Sequence, residues 1–347
     1  MKFRSVAGLS VSEVGFGCGG NAGLMLRGSA DDQQRIVARA LDLGINYFDN
    51  APDYGNGLAE ENLGKVLQAL KAHPLVVTKV EVRAADVGDI AGHVMRSTEA
   101  SLTRLGVEAV DILQIHNGPA QSPPALQGSS YTQLGMNYYL GAGGALDGLQ
   151  RVLRDGKARR IGFVCRGNDG AEVRQLIDLG LFHMINVPYT LLNPSAGMKT
   201  PEGLRVERDF GDVISYARAM GVGCAVYSPL AGGFLTDHRV GGGERHALAQ
   251  RREAVAALVE KSLARAKSLG FLNQPGKHTL AQAAYRFILA HPGVSSVLSG
   301  FSDLGQMEEI LPAALAGPLD AAAMAAIERC WQDNFYLNDA KIHLSRT

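Results

Sequence analysis

Residues 30–50 read Ala30-Asp31-Asp32-Gln33-Gln34-Arg35-Ile36-Val37-Ala38-Arg39-Ala40-Leu41-Asp42-Leu43-Gly44-Ile45-Asn46-Tyr47-Phe48-Asp49-Asn50. The polar group from Ser29 to Asp32 suits a helix N-cap, the apolar positions that follow recur at helical spacing, and Gly44 stands where a C′ glycine ends a helix. A short apolar run over 45–50 then reads as a buried strand closing on two polar residues, Asp49 and Asn50.

That unit repeats along the chain. Strands are expected over 14–17, 45–50, 76–80, 112–116, 161–164, 184–189, 224–228 and 297–300, and helices over 30–43, 60–73, 91–105, 146–155, 171–179, 210–220, 279–290 and 304–315. Gly44, Gly106, Gly156, Gly180 and Gly221 are the stops of five of those helices. Alternating strands and helices predict a parallel sheet, and eight strands predict an α/β fold of the (β/α)8 TIM barrel type, one domain spanning 1–347. Residues 2–12 alternate about Gly8 and predict an N-terminal β-hairpin capping the barrel bottom. Helical patterns over 251–269 and 321–332 exceed the eightfold repeat and predict extra C-terminal helices outside it. Two stretches without periodicity, 117–144 and 231–244, follow strands and so belong over the barrel mouth.

Composition narrows the function. Of 347 residues, 46% are hydrophobic, enough for a large core, and 34 basic residues balance 34 acidic ones. A balanced charge favours neither nucleic acid nor an anionic membrane as a partner and points to a small molecule. With no apolar leader and no long uncharged run, the protein is expected in the cytoplasm. Cys18, Cys165, Cys224 and Cys330 are widely spaced, which argues against disulfides and against a metal site. The sequence is silent on oligomeric state.

In such a barrel chemistry belongs at the strand C-termini. Asp49 ends the second strand, Tyr54 follows it, Lys79 ends the third and His116 the fourth. Taken singly, these residues suit a buried salt bridge and a core histidine. Together they solve one problem, the delivery of a proton to a carbonyl oxygen while hydride reaches the carbon. A phenol is a poor proton shuttle at neutral pH unless a cation such as Lys79 stabilises its phenolate; Asp49 would fix the lysine and His116 would polarise the oxygen.

The stretch 44–55, Val77-Thr78-Lys79 and Ile112-Leu113-Gln114-Ile115-His116 together resemble the aldo-keto reductase family. The resemblance runs on through 156–162, 227–233 and 291–297, nearly the whole chain. It implies an NAD(P)(H)-dependent oxidoreductase interconverting an aldehyde, ketone or sugar carbonyl and its alcohol, with Tyr54 as general acid/base, Asp49 and Lys79 tuning it and His116 orienting the substrate. It also implies cofactor contacts: Tyr227 against the nicotinamide, Asn186 at the carboxamide, Ser228 and Leu230 toward the pyrophosphate, and Gly17 and Gly232 elsewhere along the cofactor. Arg239, Gly300, Ser302, Gln306 and Glu309 fall at the adenosine end. Some relatives of this fold serve as redox-sensing subunits of channels, so a cofactor-binding regulator with little turnover is the alternative.

Several positions depart from the pattern. Val164 and Cys165 stand where many members carry Ser-Asn, and Asn50 replaces a Thr or Ser. Cys165 and Arg166 read more readily as an inert cysteine and a solvated loop arginine than as substitutes for the lost pair. Gly300 and Gln306 replace basic residues that grip a 2′-phosphate, a charge that His238, Arg239 and Arg245 could supply; NADP(H) is therefore expected over NAD(H). Gly15-Phe16-Gly17-Cys18-Gly19-Gly20 matches a dinucleotide fingerprint, but no helix opens at its middle. Pocket walls are expected from 20–27, 117–144 and 332–339. Tyr131, Tyr138 and Tyr139 would form a lid or a surface excursion, and Trp331, Phe335 and Tyr336 would close the pocket or pack the last helix.

Overall fold

The structure is a computed structural model describing residues 1–121, 133–166, 170–249 and 256–337. Eight parallel strands form a closed barrel in chain order: β1 Val14–Gly17, β2 Tyr47–Asp49, β3 Leu75–Val80, β4 Ile112–Ile115, β5 Ile161–Val164, β6 Met184–Pro188, β7 Gly223–Tyr227 and β8 Val294–Ser299, the last pairing with the first. Around them run α1 Ala30–Asp42, α2 Leu58–Leu70, α3 Ile90–Leu105, α4 Ala145–Arg154, α5 Gly170–Ile177, α6 Val213–Ala219, α7 Leu280–Ala290 and α8 Leu304–Leu315. The (β/α)8 barrel expected from the repeat is the fold observed.

Local chemistry accounts for the boundaries. Ser29 caps α1 by accepting from the Asp32 N–H, and Gly44 then takes φ +87° with the space of its missing Cβ filled by the Met1 side chain. The helix expected over 60–73 opens earlier, at Leu58 after Gly57, and stops at Leu70, where Lys71 turns left-handed. The helix expected over 210–220 starts only at Val213, because Gly211 and Asp212 both have positive φ. β8 begins three residues ahead of expectation: the Ser295 hydroxyl accepts from the Cys224 N–H, so small polar residues sit inside a strand.

The hairpin pairs Phe3–Val6 with Leu9–Ser12 and closes the bottom of the barrel. Val6 and Val11 pack there with Tyr47, Val77, Ile112, Met184, Ala225 and Leu298, one residue from each of six strands. Two residues further along five of those strands stand Asp49, Lys79, Gln114, Asn186 and Tyr227. Side chains repeat by face every second residue, so the apolar floor dictates that this next layer also points inward.

Outside the barrel lie Ala256–Ser268 and Ala321–Gln332; of the outer helix expected over 251–269, residues 251–255 are outside the described set. The sequence reading missed a one-turn helix, Leu24–Arg27, which opens beyond the Gly15–Gly20 glycines rather than among them. It also missed a parallel pair, Gly118–Ala120 with Gln133–Gly135, and the helix Met136–Leu140, which begin and end the long excursion after β4.

α2 and α3 flank the strands that carry Asp49 and Lys79, and they meet at Gly64. A Cβ there would lie 2.7 Å from the carbonyl oxygens of both Arg104 and Leu105. Glu60 of α2, fully buried, accepts from Thr78 on β3 and pairs with Arg104 of α3 at 2.6 Å, tying both helices to that strand. Gly64→Ala gains about 1 kcal/mol in helix propensity but forces backbone atoms apart, an overpacking cost of about 1–3 kcal/mol. The variant is expected to melt at a lower temperature than the wild type; an equal or higher melting temperature would show that the two helices can separate freely.

Candidate active site

Asp49 and Lys79 lie side by side in the upper layer, Nζ to Oδ1 at 2.6 Å, and are 4% and 2% exposed. Burying two charges is costly unless they are paired and further hydrogen-bonded, and both conditions are met here. Lys79 also donates to the Asn50 carbonyl at 2.6 Å, and the second Asp49 oxygen accepts from Asn186 Nδ2 at 3.0 Å. Gln114 Nε2 in turn donates to Asn186 Oδ1 at 3.0 Å. Asn50 itself works locally: its side chain donates to the Ala59 carbonyl and accepts from the Ala51 N–H.

Tyr54 sits above this pair. Its N–H donates to the Ala51 carbonyl and its own carbonyl accepts from Ala59, a tight turn at the head of α2 that aims the ring into the mouth. Lys79 Nζ is 5.3 Å from the ring centre, and the His116 ring packs edge-on against it with centroids 5.9 Å apart. All four residues expected to carry the chemistry are thus brought together from β2, β3, β4 and the loop after β2.

His116 belongs to a second polar cluster that the sequence reading did not assign. Its Nδ1 lies 3.0 Å from Asp53 Oδ2 and 3.6 Å from Glu81 Oε2, and its Nε2 lies 3.0 Å from Arg166 Nη2. Arg83 pairs with the other Asp53 oxygen at 2.7 Å. Burial pushes the Asp53 carboxyl up, yet the bonds from His116 and Arg83 outweigh it and hold the group below the usual carboxylate range. Burial drives His116 down to about 3, the Asp53 bond opposing and the Arg166 and Lys79 charges adding to the fall, so the imidazole is neutral at physiological pH. The ligand atoms of Asp53, Glu81 and His116 lie within 4.8 Å of one another.

Arg166 corrects the expectation of a solvated loop arginine. It lies two residues beyond the end of β5, after Cys165, whose N–H donates to the Asn186 carbonyl at 2.7 Å and whose carbonyl accepts from the Tyr227 hydroxyl at 2.8 Å. Asp53 and Glu81 were legible in part: Asp53 adjoins Tyr54, and Glu81 is two residues beyond Lys79, hence on its face. That Arg166 crosses to His116 is not periodic and left no such signal.

The expected cofactor residues divide. Tyr227 ends β7, half-buried, with its ring fixed by the bond to Cys165. Burial raises its phenol to about 12, so it stays neutral. Beyond it Ser228 takes φ +52°, and the N–H groups of Leu230 and Gly232 carry no hydrogen bond among the described residues, a pair of open donors of the kind an anion takes. Gly17 ends β1. Gly300 is packed so closely that a Cβ would meet Ala22 at 2.8 Å. Ser302 donates to the Ala22 carbonyl, Gln306 accepts from the Ser302 N–H, and Asp303 caps α8. The open N–H groups of Leu230 and Gly232 are the part of this set that would suit a dinucleotide's phosphates.

Three are engaged elsewhere. Asn186, 2% exposed, gives its amide first to Asp49 and Gln114, which makes it part of the Lys79 support. Glu309 is exposed and accepts from Thr279 Oγ1 at 2.7 Å, and Arg239 donates to the Gly243 carbonyl at 2.5 Å. Tyr139 is no lid: it is fully buried and donates to the Asn117 carbonyl. Tyr138 is half-buried and packs against the main core, while Tyr131 lies outside the described residues. Trp331 donates to the Leu191 carbonyl at 2.9 Å and Phe335 is buried, so both pack the last helix onto the barrel; Tyr336 is exposed, and 338–339 are outside the described set.

L-galactose dehydrogenase of Arabidopsis thaliana is 29% identical over 305 residues, 87% of this chain and 84% of that protein. A probable voltage-gated potassium channel subunit beta of the same plant is 28% identical over 339 residues, 92% and 93% of the two chains. The solved structure of a glycerol dehydrogenase from Gluconobacter oxydans superposes with a TM-score of 0.71 over 99% of both chains at 21% identity, which speaks to the fold. The family model described as the aldo/keto reductase family matches residues 13–332, and the chain belongs to that family.

Proposed function

We propose that this protein is an NAD(P)(H)-dependent oxidoreductase that interconverts the carbonyl of a small aldehyde, ketone or sugar with the corresponding alcohol, using Tyr54 as the proton donor and acceptor. The observation that carries the reading is the buried Asp49–Lys79 pair beneath the Tyr54 ring. A fixed ammonium there stabilises the phenolate that remains once the proton has gone to the substrate. Asp49, itself held by the Asn186 amide, and the Asn50 carbonyl hold that ammonium still, so no reorganisation is needed during the step. When bound, the dinucleotide supplies the hydride to the carbonyl carbon. The neighbouring L-galactose dehydrogenase supports a sugar or small carbonyl compound as the substrate class.

For the cofactor we favour NADP(H). Residues 300–309 carry no basic side chain, but His246 Nε2 reaches Asp303 Oδ2 at 3.4 Å, which lays the basic loop after β7 against the start of α8. Arg245 in that loop stacks over Phe234, 5.8 Å from its ring centre, and with His246 it is the positive charge we assign to a 2′-phosphate. The likeness to a channel beta subunit favours a second reading, a cofactor-binding subunit with little turnover.

A panel of aldehydes, ketones and sugars offered with NADPH and with NADH is expected to reveal turnover by the wild type; tight cofactor binding with no turnover on any of them would favour the subunit reading. Tyr54→Phe is expected to lower kcat by at least about 10²-fold with cofactor affinity, read by fluorescence titration, nearly unchanged. A matching loss of cofactor affinity would remove Tyr54 from the proton-transfer role. Lys79→Met leaves Asp49 buried without its cation, a cost of about 3–5 kcal/mol; activity is expected to vanish and the melting temperature to fall, while circular dichroism retains a barrel spectrum at low temperature. Titrated at matched salt, the protein is expected to bind NADP more tightly than NAD; the reverse order rejects that preference.

A further inference from the structure

The Asn186 amide reaches Asp49 from the far side of the barrel. β6, which carries Asn186, stands four strands from β2 in either direction round the closed sheet, so the 3.0 Å bond from Asn186 Nδ2 to Asp49 Oδ2 runs across the interior. Opposite a carboxylate oxygen an amide presents its N–H, which turns Asn186 Oδ1 toward β4, where Gln114 Nε2 donates to it at 3.0 Å. Gln114 is fully buried, and its own carbonyl oxygen has no hydrogen-bond partner among the described residues. An orphaned buried acceptor is costly, and an apolar side chain of the same size would avoid that cost. What Gln114 contributes is therefore its N–H alone. The Asn186 backbone is held as well, its carbonyl accepting from the Cys165 N–H at 2.7 Å.

Resting on carbonyl reduction as the function, we propose that Gln114 and Asn186 are positioning residues for proton transfer, a strut across the barrel that fixes the Asp49–Lys79 pair and through it the acidity of the Tyr54 phenol. One Asp49 oxygen takes the ammonium at 2.6 Å and the other takes the Asn186 N–H. The second bond draws part of the carboxylate's charge away from Lys79. Without it Asp49 would offset more of the ammonium's field at the Tyr54 ring, whose centre lies 5.3 Å from Nζ, so the phenolate would lose stabilisation and the phenol would become a weaker acid. Gln114 decides which way the amide faces: with its N–H on Oδ1, the amide cannot turn over and set an oxygen against Asp49.

In the reduction, the Tyr54 O–H bond breaks and its proton goes to the substrate oxygen as hydride from the reduced nicotinamide reaches the carbon; the phenolate recovers a proton from solvent. Gln114 and Asn186 gain and lose none. Reduction needs the protonated phenol and alcohol oxidation the phenolate, so a weaker acid slows the first and raises the pH at which the second sets in. Among the described residues, the charged and titratable groups around Tyr54 are Asp49 and Lys79 beneath it, the His116 ring at its edge, and Asp53, Glu81, Arg83 and Arg166 about that histidine. Substitution of the strut leaves all of them in place.

Carbon-13 NMR of protein labelled at the tyrosine ζ position, with Tyr54 assigned by its loss in Tyr54→Phe, reads the phenol titration without turnover. In Asn186→Leu that titration is expected about 0.5–1 pH unit above the wild type, and in Gln114→Met it is expected to move the same way by less. Gln114→Met carries the test should Asn186→Leu not fold. The rising limb of kcat for alcohol oxidation is expected to shift upward with the phenol, and kcat for reduction to fall about three- to tenfold, with cofactor affinity nearly unchanged. A Tyr54 titration that stays at its wild-type position in the folded variants overturns the proposal, and a loss of cofactor affinity without that shift does so too, by making Asn186 a cofactor contact. If the wild type reduces no carbonyl compound with either cofactor, the functional reading fails, while the NMR titration still decides whether the strut sets the phenol.

Discussion

The structure turns on one costly arrangement, an aspartate and a lysine buried together in the wall of a β-barrel. Such a pair stabilises little by itself, because the desolvation of both ions consumes most of their attraction. It persists where further hydrogen bonds support both ions, and here the Asn50 carbonyl and the Asn186 amide provide them. That requirement reaches outward. It places β2 beside β3 in a register that sets Asp49 against Val77, and it commits Asn186, three strands round the barrel from β3, to the same cluster.

Beneath that layer the barrel is apolar and sealed by the hairpin. The floor built from Tyr47, Val77, Ile112, Met184, Ala225 and Leu298, capped by Val6 and Val11, closes the lower end against solvent. The polar groups one layer up then face only the mouth, where interactions between charges are stronger than in water. One construction thus divides the barrel into a sealed end and a reactive end, in keeping with the position of active sites in this fold.

Above the ion pair, the Asp53–His116–Arg166 chain orders the mouth from β2 round to β5. Each member contacts the next. Arg83 pairs with one Asp53 oxygen, the other lies 3.0 Å from His116 Nδ1, and His116 Nε2 lies 3.0 Å from Arg166 Nη2.

Much of this was legible in the amino-acid sequence. Strand and helix alternation, the Gly44 stop and the placement of Asp49, Lys79 and His116 at strand ends depend on local periodicity and backbone preference, which the order of residues carries directly. The inward direction of Gln114 and Asn186 follows from the same period of two, once Ile112 and Met184 are recognised as floor residues. What only the tertiary structure decided is which polar groups meet across strands: Asn186 with Asp49, Asp53 with His116, and Arg166 with Nε2. Those contacts join residues up to 137 positions apart and depend on barrel closure, strand register and long side-chain reach. None of these leaves a periodic trace in the chain, because a hydrogen bond constrains atoms in space and not spacing along the backbone.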